Sequence, residues 1–132
     1  MSIRGHEVQR FEQTLKRLFD QIDDELEDEY GGEYPLHPAR ARRGTTSNKE
    51  QDGLFNIGAS FTAGYGSETG RGYTVEIRLG TLADVPDDVK EEIRGVVQRR
   101  VNELLPVYFP DRDLSIVQNG DYLKIVGDLG LS

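Results

Sequence analysis

The sequence predicts an α+β fold, in which one helix covers the apolar face of a four-stranded, mainly antiparallel sheet, and an N-terminal amphipathic helix precedes them. Three observations predict this class. Two stretches that alternate apolar and polar residues are joined by a glycine-rich tip, and a second alternating pair flanks Asn119-Gly120. Between the two pairs lies a stretch with a helical apolar stripe. The predicted order is therefore helix, linker, then β-β-α-β-β.

The first predicted element is an amphipathic helix within residues 1–30. Its apolar positions are three or four residues apart and share one stripe, which consists of Val8, Phe11, Leu15, Leu18, Phe19, Ile22 and Leu26. The carboxylates between Asp23 and Glu29 oppose the helix dipole, so we expect the last turns to fray unless cations meet them. Two interpretations stay open: the stripe packs on its own domain, or it pairs with the same helix of another subunit.

Residues 31–53 are predicted to form a polar linker. Prolines, glycines and a polar majority disfavour both helix and strand there. The segment carries a basic cluster of Arg40, Arg42 and Arg43. The simplest interpretation is a solvated linker. The alternative is that these arginines fold back on the carboxylates at the end of the first helix, as a partly exposed ion-pair network.

The predicted α+β domain spans residues 54–132. Its first hairpin has one arm starting at Phe55 and a second ending at Leu79, and alternation gives each arm one apolar face. Pro86 opens the second helix, where its missing N–H costs no hydrogen bond. That helix has a continuous apolar face formed by Val89, Ile93, Val96, Val97, Val101, Leu104 and Leu105. We expect this face to cover the apolar side of the sheet.

Asn119-Gly120 predicts a second hairpin with a type I′ turn. That turn would place Ile116 opposite Leu123 and Leu114 opposite Ile125. We favour the strand order 1-2-4-3, which makes every neighbouring pair antiparallel. The alternative order, 1-2-3-4, would require a right-handed parallel crossover.

Composition excludes several classes of function. The chain has no cysteine, which rules out disulfides, thiolate nucleophiles and cysteine-based metal sites. Its formal net charge of −8 disfavours phosphate backbones and anionic membrane surfaces, which bind Lys and Arg. No apolar run approaches the roughly 20 residues of a membrane span, and no signal-like segment begins the chain. We therefore expect a cytoplasmic protein without a membrane partner.

No motif in the sequence indicates catalysis. The glycine-rich tip, residues 63–72, is followed by a strand and not by the lysine and helix of a P-loop, and its spacing departs from a dinucleotide fingerprint. His6 and His37 lie in different predicted elements, without a nucleophile or ligand context. We predict no catalytic residue, no metal site and no cofactor, and the sequence favours a non-enzymatic role.

The leading functional hypothesis is a non-catalytic module for self-association or protein–protein interaction. It rests on the amphipathic first helix, the glycine-rich arm and sheet edges with few guarding charges. A homo-oligomer, most simply a dimer, or a complex with another protein is the expected assembly.

Two alternatives belong to other classes. The first is a small-molecule site, with or without catalysis, where the tip folds over a pocket, Arg71 or Arg78 binds an anionic group, and Glu76 or Tyr65 orients it. The candidate ligand-binding residues are Tyr65, Glu68, Arg71, Glu76 and Arg78. The second is nucleic-acid binding through Arg40, Arg42 and Arg43, which the net charge makes the least favoured.

Overall fold

The computed structural model describes residues 3–49 and 51–129. In this part of the chain the elements are α1 (Ile3–Tyr30), β1 (Phe55–Thr62), β2 (Gly72–Leu79), α2 (Asp87–Tyr108), β3 (Leu114–Asn119) and β4 (Tyr122–Gly127). The strands form one sheet in the order β1-β2-β4-β3, with every neighbouring pair antiparallel. The predicted α+β class and strand order are confirmed. The predicted elements also included residues 1–2, 50 and 130–132, which lie outside the described residues.

Both helices pack on the same face of the sheet. Alternate residues of the four strands point toward the helices, and the buried ones are Phe55, Ile57, Tyr73, Val75, Ile116, Leu123 and Ile125. These side chains form one hydrophobic core with the apolar stripes of α1 and α2. Of the two interpretations of α1, the structure shows packing against its own chain. α1 lies beside α2 and leaves the polar face of the sheet uncovered by helices.

Cations from two other segments meet the acidic end of α1, which continues to Tyr30. The guanidinium of Arg100 on α2 donates to both carboxylate oxygens of Glu25, at 2.7 and 2.9 Å. Arg43 and Lys49 each approach a carboxylate oxygen of Asp24 to 2.6 Å. These cations offset the repulsion among the carboxylates and their opposition to the helix dipole. The condition that we set for stable last turns is therefore met.

The turn of the second hairpin differs from the predicted one. Asn119 pairs with Tyr122, so Gly120 and Asp121 occupy the two loop positions. Gly120 has a φ of 64°, whereas no described residue other than glycine has a positive φ. Positive φ at the first loop position only is the pattern of a type II′ turn. The predicted type I′ turn, centred on Asn119-Gly120, is wrong.

The register of β3 against β4 is consequently shifted from the predicted one. Ile116 lies opposite Ile125, and Leu114 lies opposite Gly127. The predicted pairing of Ile116 with Leu123 is therefore wrong by two positions. Because side chains alternate with a period of two, this shift keeps every residue on its predicted face. The predicted buried side chains of the hairpin are unaffected.

Truncation of Leu18 tests the packing of α1. Leu18 is completely buried in the core, so Leu18→Ala is expected to lower the free energy of unfolding by about 2–5 kcal/mol in urea denaturation. Leu82→Ala is the matched control, because Leu82 is 74% exposed and its truncation should cost less than about 0.5 kcal/mol. Equally small effects at both positions would contradict the packing of α1 in the core.

Candidate functional site

β1 is an edge strand whose outer side points away from the sheet. It pairs with β2, and the N–H of Gly80 donates to the carbonyl of Leu54 directly opposite, at 2.6 Å. Residues of an antiparallel pair alternate between hydrogen-bonded and non-hydrogen-bonded positions. Even-numbered residues of β1 therefore bond to β2, and odd-numbered residues direct their N–H and C=O groups outward. The outward groups belong to Phe55, Ile57, Ala59 and Phe61.

Most of the outward backbone groups of β1 have no hydrogen-bond partner within residues 3–49 and 51–129. Phe55 is covered, because its carbonyl accepts a hydrogen bond of 3.0 Å from Arg40. No hydrogen bond from a described residue reaches the outward backbone groups between Ile57 and Phe61. β1 also contains neither a charged residue nor a proline, which are the common means of blocking an edge strand. The edge is open to another strand.

The opposite edge strand of the sheet, β3, is partly blocked by a side chain of α2. There the outward N–H of Ile116 donates to the side-chain oxygen of Asn102 on α2, at 3.2 Å. A helix side chain thus occupies the middle of β3, which also has six residues against the eight of β1. The unguarded stretch of β1 is a specific feature of that strand.

A groove of about 370 Å³ follows the open edge between α1 and β1. Its lining consists of Glu12, Leu15, Lys16 and Phe19 on α1, Gly58, Ala59, Ser60 and Phe61 on β1, and Tyr73 on β2. We call this surface the edge groove. Leu15, Phe19 and Tyr73 are buried and give it an apolar floor, whereas Phe61 at the rim is 47% exposed. An exposed phenylalanine beside open backbone groups is typical of a protein contact.

Aromatic contacts and one hydrogen bond fix the floor of the edge groove. The Tyr73 hydroxyl donates to a carboxylate oxygen of Glu12 at 3.0 Å. Burial, and then the hydrogen bond to Glu12, raise the pKa of Tyr73, so its hydroxyl remains a neutral donor. The Tyr73 ring stacks on Phe11 at 5.4 Å and meets Phe61 edge-on at 5.6 Å between centroids. The groove is therefore preformed on its α1 side.

The glycine-rich tip folds back over the polar face of the sheet and covers Lys124, which is completely buried. The ammonium of Lys124 donates to the hydroxyls of Thr69 and Ser67, at 2.8 and 3.3 Å, and to the carbonyl of Gly70. Gly64 permits this fold, because it has a φ of 75° and a Cβ there would overlap the Gly70 carbonyl. In the structure the tip is held against its own sheet.

The predicted ligand-binding residues occupy two separate places. Tyr65, Glu68 and Arg71 are exposed on the tip, and Tyr65 is 97% exposed. Glu76 and Arg78 form an exposed ion pair of 2.9 Å on β2 and line a hollow of about 240 Å³ that contains no tip residue. The structure brings Glu76 and Arg78 together, but not with the tip. Their binding of a ligand stays a prediction.

Arg43 of the predicted basic cluster lies in an ion-pair network with α1. Its guanidinium is 2.6 Å from a carboxylate oxygen of Asp24, 2.9 Å from one of Asp23 and 3.3 Å from one of Asp52. Burial alone would raise the pKa of Asp52. Hydrogen bonds from the N–H groups of Thr46 and Gly44 help to hold this pKa below its ordinary value. The linker thus folds back on the helix, as the second interpretation of this segment held.

The other two arginines of that cluster are placed differently. Arg40 donates to the carbonyls of Asp52, Gly53 and Phe55, at 2.8, 3.0 and 3.0 Å. Arg42 is exposed. The three side chains do not present one cationic surface, and their binding of nucleic acid stays a prediction.

Asp23 is a buried carboxyl with an altered pKa. Arg43 is its ion-pair neighbour, but neither carboxylate oxygen accepts an aligned hydrogen bond from a described residue. Burial raises the pKa of Asp23 to about 7, with Arg43 opposing the shift and the carboxylates of Glu27, Asp24 and Asp20 adding to it. The uncharged form of Asp23 is therefore populated in the folded chain below neutral pH.

Neither a cluster of metal ligands nor a membrane-spanning helix is present in the described ranges. Residues 3–49 and 51–129 contain no group of three or more His, Cys, Asp or Glu side chains arranged to hold a metal ion. Neither α1 nor α2 combines the length and the apolar character that crossing a membrane requires.

Sequence reasoning predicted sheet edges with few guarding charges but did not locate the edge groove, although the sequence contains a signal for its position. Residues 53–67 include no charged residue, in a chain of which 30% is charged. An uncharged run that holds an edge strand indicates an edge without guards. Glu12 and Lys16 could not be placed there from sequence, because the position of α1 over β1 depends on tertiary packing.

Replacing Asp23 by asparagine is expected to remove a pH dependence of stability. Because the folded chain keeps a proton on Asp23 up to about pH 7, whereas the ordinary pKa is 3.8, the folded state binds more protons than the unfolded state in that window. Stability is therefore lost as the pH rises through it, by up to roughly 1.4 kcal/mol per pH unit.

Urea denaturation across that window measures this slope. Asp23→Asn should lose it, and Asp28→Asn, at an exposed position of the same helix, should keep it. Equal slopes for the natural chain and Asp23→Asn would contradict a raised pKa of Asp23.

Comparison with known proteins places these surfaces in a family. The profile of a family described as "Uncharacterised protein" matches residues 6–127. A protein of Borreliella burgdorferi, described as "Uncharacterized protein", is 41% identical over 119 residues, which cover 89% of this chain and 91% of the relative. No solved structure matches the chain. The family match includes all four strands, the tip and the edge groove, and the chain belongs to this family of uncharacterised proteins.

Proposed function

We propose that the chain is a non-catalytic self-association module, in which β1 of one copy pairs antiparallel with β1 of a second copy. The observation that carries this proposal is the row of outward backbone groups from Ile57 to Phe61, which have no partner among the described residues and border an apolar groove. Pairing with a further strand satisfies such groups. The contact joins two four-stranded sheets into one continuous sheet.

A second copy fits this edge because the contact is self-complementary. In a two-fold arrangement each copy presents the same strand, so every satisfied group on one copy has an equivalent on the other. With Ala59 on the axis, Phe61 of each copy lies opposite Ile57 of its partner, on the apolar face. The exposed part of Phe61 is then covered. Gly58 and Ser60 beside the axis are small enough for the strands to approach closely.

The distribution of charge also favours contact between two copies at β1. Two copies of a chain with a net charge of −8 repel one another, so a contact that aligns their carboxylates is unfavourable. Residues 53–67, which include β1, carry no charge, so pairing of β1 with a second β1 sets no like charges opposite each other. At the rim of the groove Glu12 and Lys16 have opposite signs.

The nucleic-acid alternative has less support. Arg40 and Arg43 direct their guanidinium groups to carbonyls and carboxylates of their own chain. Phosphate contacts would have to displace these bonds, in a chain whose net charge already opposes them.

Ala59→Pro tests the pairing with little change to the monomer. The N–H of Ala59 points outward, so proline removes a donor that the second copy uses, and the hydrogen bonds between β1 and β2 remain. Analytical ultracentrifugation is expected to show a dimer for the natural chain and a monomer for the variant. Circular dichroism should show the same helix and strand content for both. A natural chain that is monomeric at the highest attainable concentration would contradict the proposal.

Phe61→Lys tests the side-chain part of the same contact. A lysine at this position places a charge against Ile57 of the partner and removes an apolar contact, so the dimer should dissociate at a clearly higher protein concentration than the natural one. Leu82→Lys is the matched control, because it changes an even more exposed hydrophobic residue away from β1. If both variants dimerise as tightly as the natural chain, Phe61 does not lie in the interface.

A further inference from the structure

A second cleft lies on the other side of β2, between its last residues and the first half of α2. Its volume is about 490 Å³. It exists because β4 pairs only with Tyr73–Val75 of β2, since β4 begins at Tyr122, directly after the turn that follows β3. β2 continues to Leu79, so its last residues have no strand beside them on this side. None of the residues that line the edge groove lines this cleft.

The cleft has an apolar floor with backbone donors at its edge. Ile77, Leu79, Val85 and Ile93 line it, and Val85 and Ile93 are buried. Even-numbered residues of β2 bond to β1, as the hydrogen bond from Gly80 to Leu54 shows, so the N–H groups of Ile77 and Leu79 point toward the cleft. A polar group of a ligand can meet these donors while its apolar part covers the floor.

Three cationic side chains converge on the same cleft, and they are Arg78, Lys90 and Arg94. Asp84 is the carboxylate in the lining. Within the described ranges Lys90 has no ion pair, whereas Arg78 is paired with Glu76 at 2.9 Å and Arg94 with Glu91 at 3.4 Å. The Arg78–Glu76 pair is exposed and the Arg94–Glu91 pair is partly exposed. Such pairs contribute only about 0–1 kcal/mol each, so an anion can replace the carboxylates. The cleft is locally cationic in a chain that is acidic overall.

We propose that this cleft binds a small amphipathic anion, which is a molecule with one oxyacid group on an apolar body. The oxyacid group contacts Arg78, Lys90 and Arg94, since guanidinium groups match oxyanions with paired hydrogen bonds. The apolar body covers Ile77 and Ile93. The volume lies within the roughly 300–1,000 Å³ that is usual for small-molecule sites. The inference does not depend on self-association, because the two surfaces share no lining residue.

Two fluorescent probes that differ in one charged group test this site on the full chain. 8-Anilinonaphthalene-1-sulfonate carries a sulfonate on an aromatic body, and N-phenyl-1-naphthylamine has the same body without the charge. We expect the sulfonate to bind more tightly, and inorganic phosphate to displace it. Raising the salt concentration should weaken its binding and leave that of the neutral probe unchanged.

Variants of α2 locate the site. Arg94→Gln and Lys90→Gln should each weaken binding of the sulfonate probe roughly tenfold, which is the loss expected for one charge-assisted hydrogen bond. The neutral probe reports whether the apolar floor is intact and should bind both variants as it binds the natural chain. Arg99→Gln is the matched control, since Arg99 lies on the same helix, is exposed and does not line the cleft.

Two results would overturn the proposal. One is an unchanged affinity for the sulfonate probe in both Arg94→Gln and Lys90→Gln, which would place binding elsewhere. The other is equal affinity of the charged and neutral probes for the natural chain, which would leave the cationic side chains without a role.

Discussion

The packing of both helices on one face of a single sheet determines which surfaces of this protein are left for binding. α1 and α2 bury their apolar stripes against the same side of the strands, in one core. The other face is therefore polar, and the glycine-rich tip covers it around Lys124. Because α1 lies over β1 and α2 lies over β3, each edge strand meets a different helix surface. Asn102 occupies the edge on the α2 side, and a groove remains on the α1 side.

The segment between α1 and β1 sets where the open edge begins. Asp52 accepts hydrogen bonds from the N–H groups of Gly44 and Thr46, both at 3.0 Å, and closes this segment into a loop. Arg43 ties the loop to α1, and Arg40 reaches the carbonyl of Phe55. The first outward group of β1 is thereby covered, and those from Ile57 onward are not. Asp23 is buried behind Arg43, and burial raises its pKa to about 7, so the stability of the fold is expected to fall as the pH rises toward that value.

The sequence predicted what local periodicity determines. Alternation and helical spacing identified the strands and the stripe of α1, and the preference for antiparallel neighbours gave the strand order. The turn at Gly120 was missed because Asn-Gly fits either of two positions in a hairpin loop, and both registers keep the same residues on the apolar face, so alternation does not choose between them. The burial of Lys124 and the cleft beside Arg94 depend on how a loop folds back and on where β4 ends against β2. Neither feature has a signal within a short window of sequence.

Hydrogen exchange of the β1 amides, followed by NMR at several protein concentrations, reports directly whether β1 pairs with a second copy. The amides of Gly58 and Ser60 bond to β2 and should be protected at every concentration. Those of Ile57, Ala59 and Phe61 point outward, so their protection is expected to rise with concentration as a second copy pairs with them. Protection of these three amides that does not change with concentration would contradict a second copy at this edge.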